Sequence, residues 1–246
     1  EFLKSGGSDY PLNQLKAAGV DMEKKESVDK ALEVFKELVD KFNINSGVSI
    51  TIKKNIPVSA GLAGGSTDCA AVLKLMNSIF KTNLTDQELM DLGVKLGADV
   101  PYCIVGGTAL CEGIGEKITK IKPFKDKILV LVKPPFGVST KAVYQDFDLS
   151  KVVFHPDVEG LIKNIEKDNL DYVAKNMKNL LENVTLLKYK EIISIKQAMI
   201  ENGSIGSMMS GSGPTVFAFF DDMVKAQKCY DVMKKKYKDT YITRTI

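Results

Sequence analysis

The sequence feature that most limits the possible folds is a glycine-rich stretch, residues 57–67, between a predicted strand and a predicted helix. Glycine lets the backbone turn sharply and approach a ligand closely. Amides of such a loop, together with the N-terminal charge of the following helix (about +0.5 elementary charge), can surround phosphate oxygens. Two hydroxyl side chains, Ser66 and Thr67, end the stretch and can bind phosphate or a metal ion. The pattern therefore predicts phosphate binding within a fold that mixes helices and strands.

The same stretch has a simpler interpretation, which the sequence leaves open. A tight turn followed by a helix whose N-cap is Ser66, Thr67 or Asp68 would also need glycine and short polar residues. The stretch lacks the G-x-x-x-x-G-K-[ST] pattern, and G-x-G-x-x-G does not follow its strand, so neither a Walker-type loop nor a Rossmann site is indicated. We favour phosphate binding, because three glycines and two hydroxyls exceed what a cap requires.

Hydrophobic periodicity predicts a chain that alternates helices and strands. A capping box at Thr85 and Glu88 marks one helix start, and Pro101 biases Val100 away from helix. The predicted helices cover residues 27–42, 69–80, 86–96, 140–147, 157–167, 169–181, 189–201 and 222–237. The predicted strands cover residues 48–52, 128–133, 215–220 and 239–245, with further strands within 102–120 and a small-residue loop over 206–213.

Composition narrows the class of partner. The 246 residues include 34 Lys and Arg against 31 Asp and Glu, a net charge of +3, which argues against a dedicated nucleic-acid binder. The apolar run 128–132 is too short to cross a bilayer, and the four cysteines form no C-x-x-C pair. The single histidine, His155, is predicted to lie in a turn before a helix that Asp157 caps. We expect a cytoplasmic protein with reduced thiols, a small-molecule substrate, no nucleic-acid or membrane partner and no protein-held metal site; the oligomeric state stays open.

Three strings in order resemble a known family. Residues 57–67 resemble the P-x-x-x-G-L-[GA]-G-G-S-[ST] motif of the GHMP kinases, and residues 209–217 resemble their C-terminal glycine-rich motif. Residues 96–101, Leu-Gly-Ala-Asp-Val-Pro, followed by Gly-Thr-Ala and Glu-Gly-Ile-Gly-Glu, are most similar to the 4-diphosphocytidyl-2-C-methyl-D-erythritol kinases of the non-mevalonate isoprenoid pathway. The resemblance covers residues 40–246, including 133–140 and 181–183.

The resemblance implies an α+β fold, the two-lobed GHMP kinase fold. Its N-lobe, similar to the second domain of ribosomal protein S5, would be an ATP-binding domain over residues 40–132 and incomplete here. A ferredoxin-like C-lobe would cover residues 133–246, and residues 1–39 would be an atypical N-terminal segment.

The resemblance also implies the reaction, an ATP-dependent phosphorylation of the 2-hydroxyl of 4-diphosphocytidyl-2-C-methyl-D-erythritol, with ATP and Mg²⁺ as cofactors. Asp99 would be the catalytic base, although its spacing alone favours a turn carboxylate that caps a backbone amide. The implied ATP-binding residues are Pro57, Val58, Ser59, Ala60, Gly61, Leu62, Ala63, Gly64, Gly65, Ser66 and Thr67. The implied substrate-binding residues are Ser210, Gly211, Ser212 and Gly213, which could equally form a plain turn into the next strand.

The sequence departs from the family at its start. The family's Pro-Ala-Lys-Ile-Asn-Leu strand, whose lysine assists catalysis, and its Asp-Gly-Tyr-His segment are both missing from the 246 residues. Residues 1–30 instead resemble a C-terminal piece of an F-type oligoendopeptidase. We therefore expect weak ATP binding and slow turnover. The alternatives are an inactive, truncated or chimeric nucleotide-binding scaffold, or a GHMP kinase for another alcohol such as homoserine.

Overall fold

The computed structural model describes residues 33, 36, 38–44, 50–152 and 155–246. The chain forms two compact units. The first unit extends to Thr119 but omits Ser59–Leu62, which belong with Lys120–Ile246 in the second unit. The strand over Ile128–Lys133 lies inside the sheet of the second unit.

Besides the helical residues 38–42, the described part of the first unit contains α1 (Gly64–Ile79), α2 (Asp86–Leu96), α3 (Val100–Val105), β1 (Ala109–Glu112) and β2 (Lys117–Lys120). Its core contains Cys69, Leu73 and Met76, which share one face of α1 at helical spacing. The predicted capping box is confirmed: Thr85 Oγ1 accepts the Glu88 amide at 3.3 Å and Glu88 Oε2 accepts the Thr85 amide at 2.9 Å.

The second unit contains a four-stranded sheet with helices. Its elements are β3 (Ile128–Lys133), α4 (Thr140–Asp146), a 3₁₀ turn (Leu149–Lys151), α5 (Val158–Glu166), α6 (Leu170–Asn176), α7 (Glu182–Lys188), α8 (Lys190–Glu201), β4 (Gly206–Met209), β5 (Val216–Phe220), α9 (Met223–Lys234) and β6 (Asp239–Arg244). The strand order β4-β5-β3-β6, antiparallel throughout, is that of a ferredoxin-like β-α-β-β-α-β unit, as the resemblance implied.

The core of the second unit follows from the alternation along β3. Residues Ile128, Val130 and Val132 are buried on one face of the strand. They belong to one hydrophobic cluster with side chains of α8 and α9, among them Ile195 and Cys229, both essentially inaccessible. Leu129, on the opposite face of β3, packs against a second cluster that contains Val173 and Phe219, so apolar side chains cover both faces of the sheet.

Two predictions about regular structure between residues 100 and 209 are wrong. Residues 102–105, predicted to lie among the strands within 102–120, belong instead to a helix that begins at Val100, because Pro101 lies in the first helical turn, where an amide hydrogen has no intrahelical acceptor to lose. Residues 206–209 form a strand where a loop was predicted, because they pair antiparallel with β5. Helix α7 was not predicted.

Predictions for the N-terminal part are tested only in part. Residues 38–42 are helical, while residues 27–32 of the predicted helix lie outside the described residues. Residues 48 and 49 of the predicted strand also lie outside them, and residues 50–52 are not in a strand. His155 is exposed in the segment before α5, and Asp157 caps that helix by accepting the Gly160 amide at 2.9 Å, as predicted.

Within the described ranges, no helix combines the length and the apolar character that crossing a membrane requires.

Candidate active site

The first glycine-rich loop has a backbone conformation that side chains seldom adopt. Ser59, Gly61 and Ala63 have φ of 50°, 72° and 49°. A non-glycine residue in the left-handed region costs about 1–3 kcal/mol, and such strain is concentrated at functional sites. Ala63 is the N-cap of α1 and supplies no capping hydrogen bond. The capping interpretation is therefore wrong: Ser66, Thr67 and Asp68 lie inside α1, and its first amides receive nothing from the N-cap side chain.

Thr67 connects this loop to the third helix. Its hydroxyl donates to the Ala63 carbonyl at 3.0 Å, and its Oγ1 lies 3.7 Å from Cys103 Sγ in α3. Asp99 begins α3, and the Cys103 amide donates to its carbonyl at 3.1 Å. The first unit thus brings the end of the glycine-rich loop within one helical turn of Asp99.

The Asp99 carboxylate has no structural task at the start of α3. Asp99 is the N-cap of that helix, yet its side chain makes no capping hydrogen bond, and the residue is exposed. The sequence alone favoured a capping role, which the structure contradicts. An exposed carboxylate without a capping partner is available to accept a proton.

Two thiols lie close enough to Asp99 to be affected by its charge, and the phenol of Tyr102 interacts with both thiols. Burial raises the pKa of the Cys103 thiol and of the Cys111 thiol, and the negative charge of Asp99 raises both further. Burial also raises the pKa of Tyr102, whose hydroxyl donates to the Gly107 carbonyl at 2.6 Å. These three groups therefore stay neutral at neutral pH and add no second charge beside the carboxylate.

The hairpin β1–β2 lies against the turn that precedes Asp99. Gly115 has a φ of 121°, and a Cβ built on it would lie 2.8 Å from the Ala98 carbonyl oxygen. The carboxylate of Glu116 accepts the Ile114 amide at 2.7 Å and closes the hairpin tip. Only glycine permits this approach of the hairpin to the turn.

The second glycine-rich loop connects β4 to β5 and holds a part of the first. The Ser210 amide donates to the Thr215 carbonyl at 2.8 Å, and the Ser210 hydroxyl donates to the Gly61 carbonyl, also at 2.8 Å. The Thr215 amide donates to the Ala60 carbonyl at 3.2 Å. A Cβ on Gly61 would lie 2.3 Å from the Ser210 carbonyl oxygen, so the two loops fit together in the second unit only with glycine there.

Both serine hydroxyls of this second loop are already engaged. Ser212 is 5% exposed, and its Oγ lies 2.8 Å from Thr140 Oγ1. Asn179 Nδ2 donates to the carbonyls of Met209 and Gly211 at 2.8 and 2.7 Å. A ligand at Ser210–Gly213 would therefore meet main chain before it meets a free hydroxyl.

Sequence reasoning missed Lys54. Its side chain is 5% exposed, its Nζ donates to the Gly64 carbonyl at 2.6 Å, and it forms an ion pair with Asp68. Lys53 precedes it and is exposed. No pattern in the sequence distinguishes the two lysines, because only the packing of the chain shows which one is buried.

Within residues 38–44, 50–152 and 155–246, no three His, Cys, Asp or Glu side chains are grouped so that they could hold a metal ion.

Family models match both halves of the chain. The GHMP kinases N terminal domain matches residues 27–107, and the GHMP kinases C terminal domain matches residues 161–239. Each match contains one of the two glycine-rich loops.

Curated relatives match most of the chain. A Clostridium botulinum protein named 4-diphosphocytidyl-2-C-methyl-D-erythritol kinase is 70% identical over 217 residues, 88% of this chain and 76% of the relative. A Clostridium beijerinckii protein of the same name is 69% identical over the same shares.

Solved structures share the fold. The crystal structure of a 4-(cytidine 5'-diphospho)-2C-methyl-D-erythritol kinase has a TM-score of 0.74 at 24% identity, covering 87% of this chain and 77% of that one. A homoserine kinase from Cytophaga hutchinsonii has a TM-score of 0.73 at 20% identity, covering 91% and 76%. At these identities the structures establish the architecture alone, but together with the family models and the curated relatives they show that the chain belongs to the GHMP kinase family.

Proposed function

We propose that this chain transfers the terminal phosphoryl group of ATP to the 2-hydroxyl of 4-diphosphocytidyl-2-C-methyl-D-erythritol. As a GHMP kinase it is an ATP-dependent kinase for a small molecule. The choice of alcohol is supported by the relatives at 70% and 69% identity, which carry the name of that kinase.

One observation carries the proposal. Thr67, at the end of the glycine-rich loop, lies 3.7 Å from Cys103, whose amide binds the carbonyl of Asp99. Phosphoryl transfer needs the phosphate site and the base close together, so that the hydroxyl of the acceptor is held in line with the phosphorus. The contact through Cys103 supports that arrangement within the first unit.

The glycine-rich loop would bind and stabilise the phosphates of ATP. The amides of the first turn of α1 carry the partial positive charge of a helix N-terminus, and the N-cap side chain does not occupy them. Fixed amide donors stabilise charge that develops during transfer, and removing one such donor costs about 3–4 kcal/mol of transition-state stabilisation.

Asp99 would accept the proton of the attacking hydroxyl. Its carboxylate is exposed and free of a capping bond, so it can turn towards a bound alcohol. Mg²⁺ keeps several waters and binds through few protein carboxylates plus substrate phosphates. A metal ion would therefore enter with the nucleotide, held chiefly by phosphate oxygens and water, where it would neutralise phosphate charge.

The remaining assignments also stay proposals. Residues 40–132 and 133–246 would be the two family domains, and the matched ranges 27–107 and 161–239 fall on either side of that boundary. We place the protein in the cytoplasm, where reduced thiols are expected. The second loop, Ser210–Gly213, would contact the substrate through its main chain. The oligoendopeptidase resemblance of residues 1–30 concerns residues that the structure does not describe.

A coupled ADP-release assay tests the proposed function. The purified chain is given Mg-ATP with one of four alcohols: the diphosphocytidyl compound, homoserine, mevalonate or galactose. We expect ADP release above background with the diphosphocytidyl compound alone. Faster release with another alcohol would contradict the substrate assignment, and nucleotide binding without release for any alcohol would leave only the scaffold function.

A further inference from the structure

Lys54 is a buried cation whose two partners both belong to the first turns of α1. Its side chain is 5% exposed, and that of Asp68 is 18% exposed. Lysine is almost never buried to this degree unless it is paired. The Lys54 ammonium donates one hydrogen bond to the Gly64 carbonyl at 2.6 Å and another to the Asp68 carboxylate.

This pairing fixes the place where α1 begins. Gly64 is the first residue of α1, and Asp68 follows one turn later. Lys54 stands three residues before Pro57, on the segment that enters the glycine-rich loop. A Cβ on Gly64 would lie 3.0 Å from Nζ, so the absence of a side chain there allows the approach. The lysine therefore joins the segment that enters the loop to the helix that leaves it.

Net stability is a weak reason for such a pair. The cost of removing two charges from water offsets much of their attraction, and buried pairs often add little to the free energy of folding. Asp68 also neutralises Lys54, so the ammonium is not a free cation that could bind phosphate by itself. What the pair does supply is a fixed position for the Gly64 carbonyl, and with it the direction of the neighbouring amides.

We propose that Lys54 and Asp68 are positioning residues for nucleotide binding: together they hold the Gly64 carbonyl so that the first-turn amides of α1 face the phosphates. This inference rests on the proposed function, because it requires that the loop binds a nucleotide.

The test compares Lys54→Met, Asp68→Asn and Lys54→Arg with the parent chain. Lys53→Met is the matched control, since it removes the same charge from an exposed neighbour. The dissociation constant of Mg-ATP is measured by calorimetry without alcohol, the KM of each substrate by ADP release, and the unfolding midpoint by circular dichroism. We expect Lys54→Met and Asp68→Asn each to weaken nucleotide binding about tenfold or more, with the KM of the alcohol unchanged. Lys53→Met should match the parent, and Lys54→Arg should recover most of the affinity.

Several outcomes would overturn the inference. A lowered unfolding midpoint with nucleotide affinity equal to that of the parent would make the pair purely structural. Weak binding by Lys54→Met but undiminished binding by Asp68→Asn would mean that the ammonium acts on phosphate directly. If Lys54→Met does not fold, Asp68→Asn decides alone. A parent chain that binds no nucleotide would refute the proposed function and this inference together. If the parent binds nucleotide and both variants bind it equally well, only the inference is refuted.

Discussion

Among the described residues, three aspartates are N-caps of α-helices, and one of them makes no capping hydrogen bond. Asp157 accepts the Gly160 amide at the start of α5, and Asp222 accepts the Val224 and Lys225 amides at the start of α9. Asp99 has the same position in α3 but makes no capping bond. A capping hydrogen bond stabilises the folded protein by about 1 kcal/mol, and α3 lacks this stabilisation because the Asp99 side chain does not cap it. This contrast supports a chemical role for that carboxylate.

Replacing Asp99 should therefore affect turnover and not stability. We expect Asp99→Asn to lower kcat about 10²–10⁴-fold, the usual contribution of a positioned general base, while nucleotide affinity and the unfolding midpoint stay at the parent values. The control is Asp157→Ala, which should lose about 1 kcal/mol of stability with kcat unchanged. Initial rates and thermal unfolding measure both. An Asp99→Asn chain that turns over at the parent rate would refute the base assignment.

Cys229 gives a pH-dependent test of the second unit. Burial raises the pKa of this thiol from 9.0 to about 11. Between these values the unfolded chain has lost a proton that the folded chain keeps, so the folded state loses stability as the pH rises from 9 to 11. Between pH 9 and 11 the unfolding midpoint of the parent should fall more steeply with pH than that of Cys229→Ala. Below pH 9 the two midpoints should change with pH in parallel. Parallel curves over the whole range would contradict the burial of the thiol.

At the scale of elements, the hairpin β1–β2 is arranged to support the turn before α3. Gly115 approaches the Ala98 carbonyl so closely that a Cβ would be 2.8 Å away, and main-chain atoms do not move aside as the end of a flexible side chain does. Gly106 also has positive φ, 64°, but nothing lies within 4 Å of its Cβ position. A side chain at Gly106 would therefore cause backbone strain alone, whereas a side chain at Gly115 would cause backbone strain and also collide with the turn.

We expect Gly115→Ala to lower kcat about tenfold or more, because the displaced turn carries Asp99. Gly106→Ala should lose stability through its positive φ but keep kcat near the parent value. Initial rates normalised to folded protein make the comparison. Equal rates in the two variants would show that the hairpin does not position the base.

Elements with a strong local signal were predictable from the sequence. The apolar run of β3, the capping box of α2 and the cap of α5 each reflect interactions between neighbours in the chain. Helix α3 was not predictable in this way, because its six residues read as extended around Pro101 and are fixed by packing on α1 and α2. Strand β4 depends on its pairing with β5, which local sequence does not encode.

The site shows the same division. The glycine-rich loops and Asp99 are proposed as site residues from motifs, whose residue types are set by backbone shape and chemistry. The burial of Lys54 and its ion pair with Asp68 were not predicted, and neither were the internal hydrogen bonds of the Ser210 and Ser212 hydroxyls. The burial of Lys54 and the hydrogen bonds of the two serine hydroxyls both depend on contacts between residues that are distant in the sequence.

At the scale of the whole molecule, the described chain has a separate hydrophobic core in each unit. Leu73, fully buried, belongs to the helical core of the first unit, and Ile195, 1% exposed, belongs to the core beneath the sheet of the second. Deleting buried side-chain atoms leaves a cavity that the surroundings fill only in part.

Leu73→Ala and Ile195→Ala should each cost about 2–5 kcal/mol of unfolding free energy. Hydrogen exchange should locate the loss: amides of α1 and α2 lose protection in Leu73→Ala, and amides of β3 and β5 lose it in Ile195→Ala. The matched surface control is Leu75→Ala on α1, at 59% exposure, which should change little. Uniform loss of protection in both core variants would show one cooperative unit instead of two.

The uncapped start of α3 has a practical consequence for capturing the enzyme with its ligands. Since the Asp99 side chain contributes no capping hydrogen bond to its helix, an asparagine there should give a chain as stable as the parent that turns over about 10²–10⁴-fold more slowly. Such a chain would keep nucleotide and alcohol bound together far longer than the parent does, which would favour capture of the complete ternary complex.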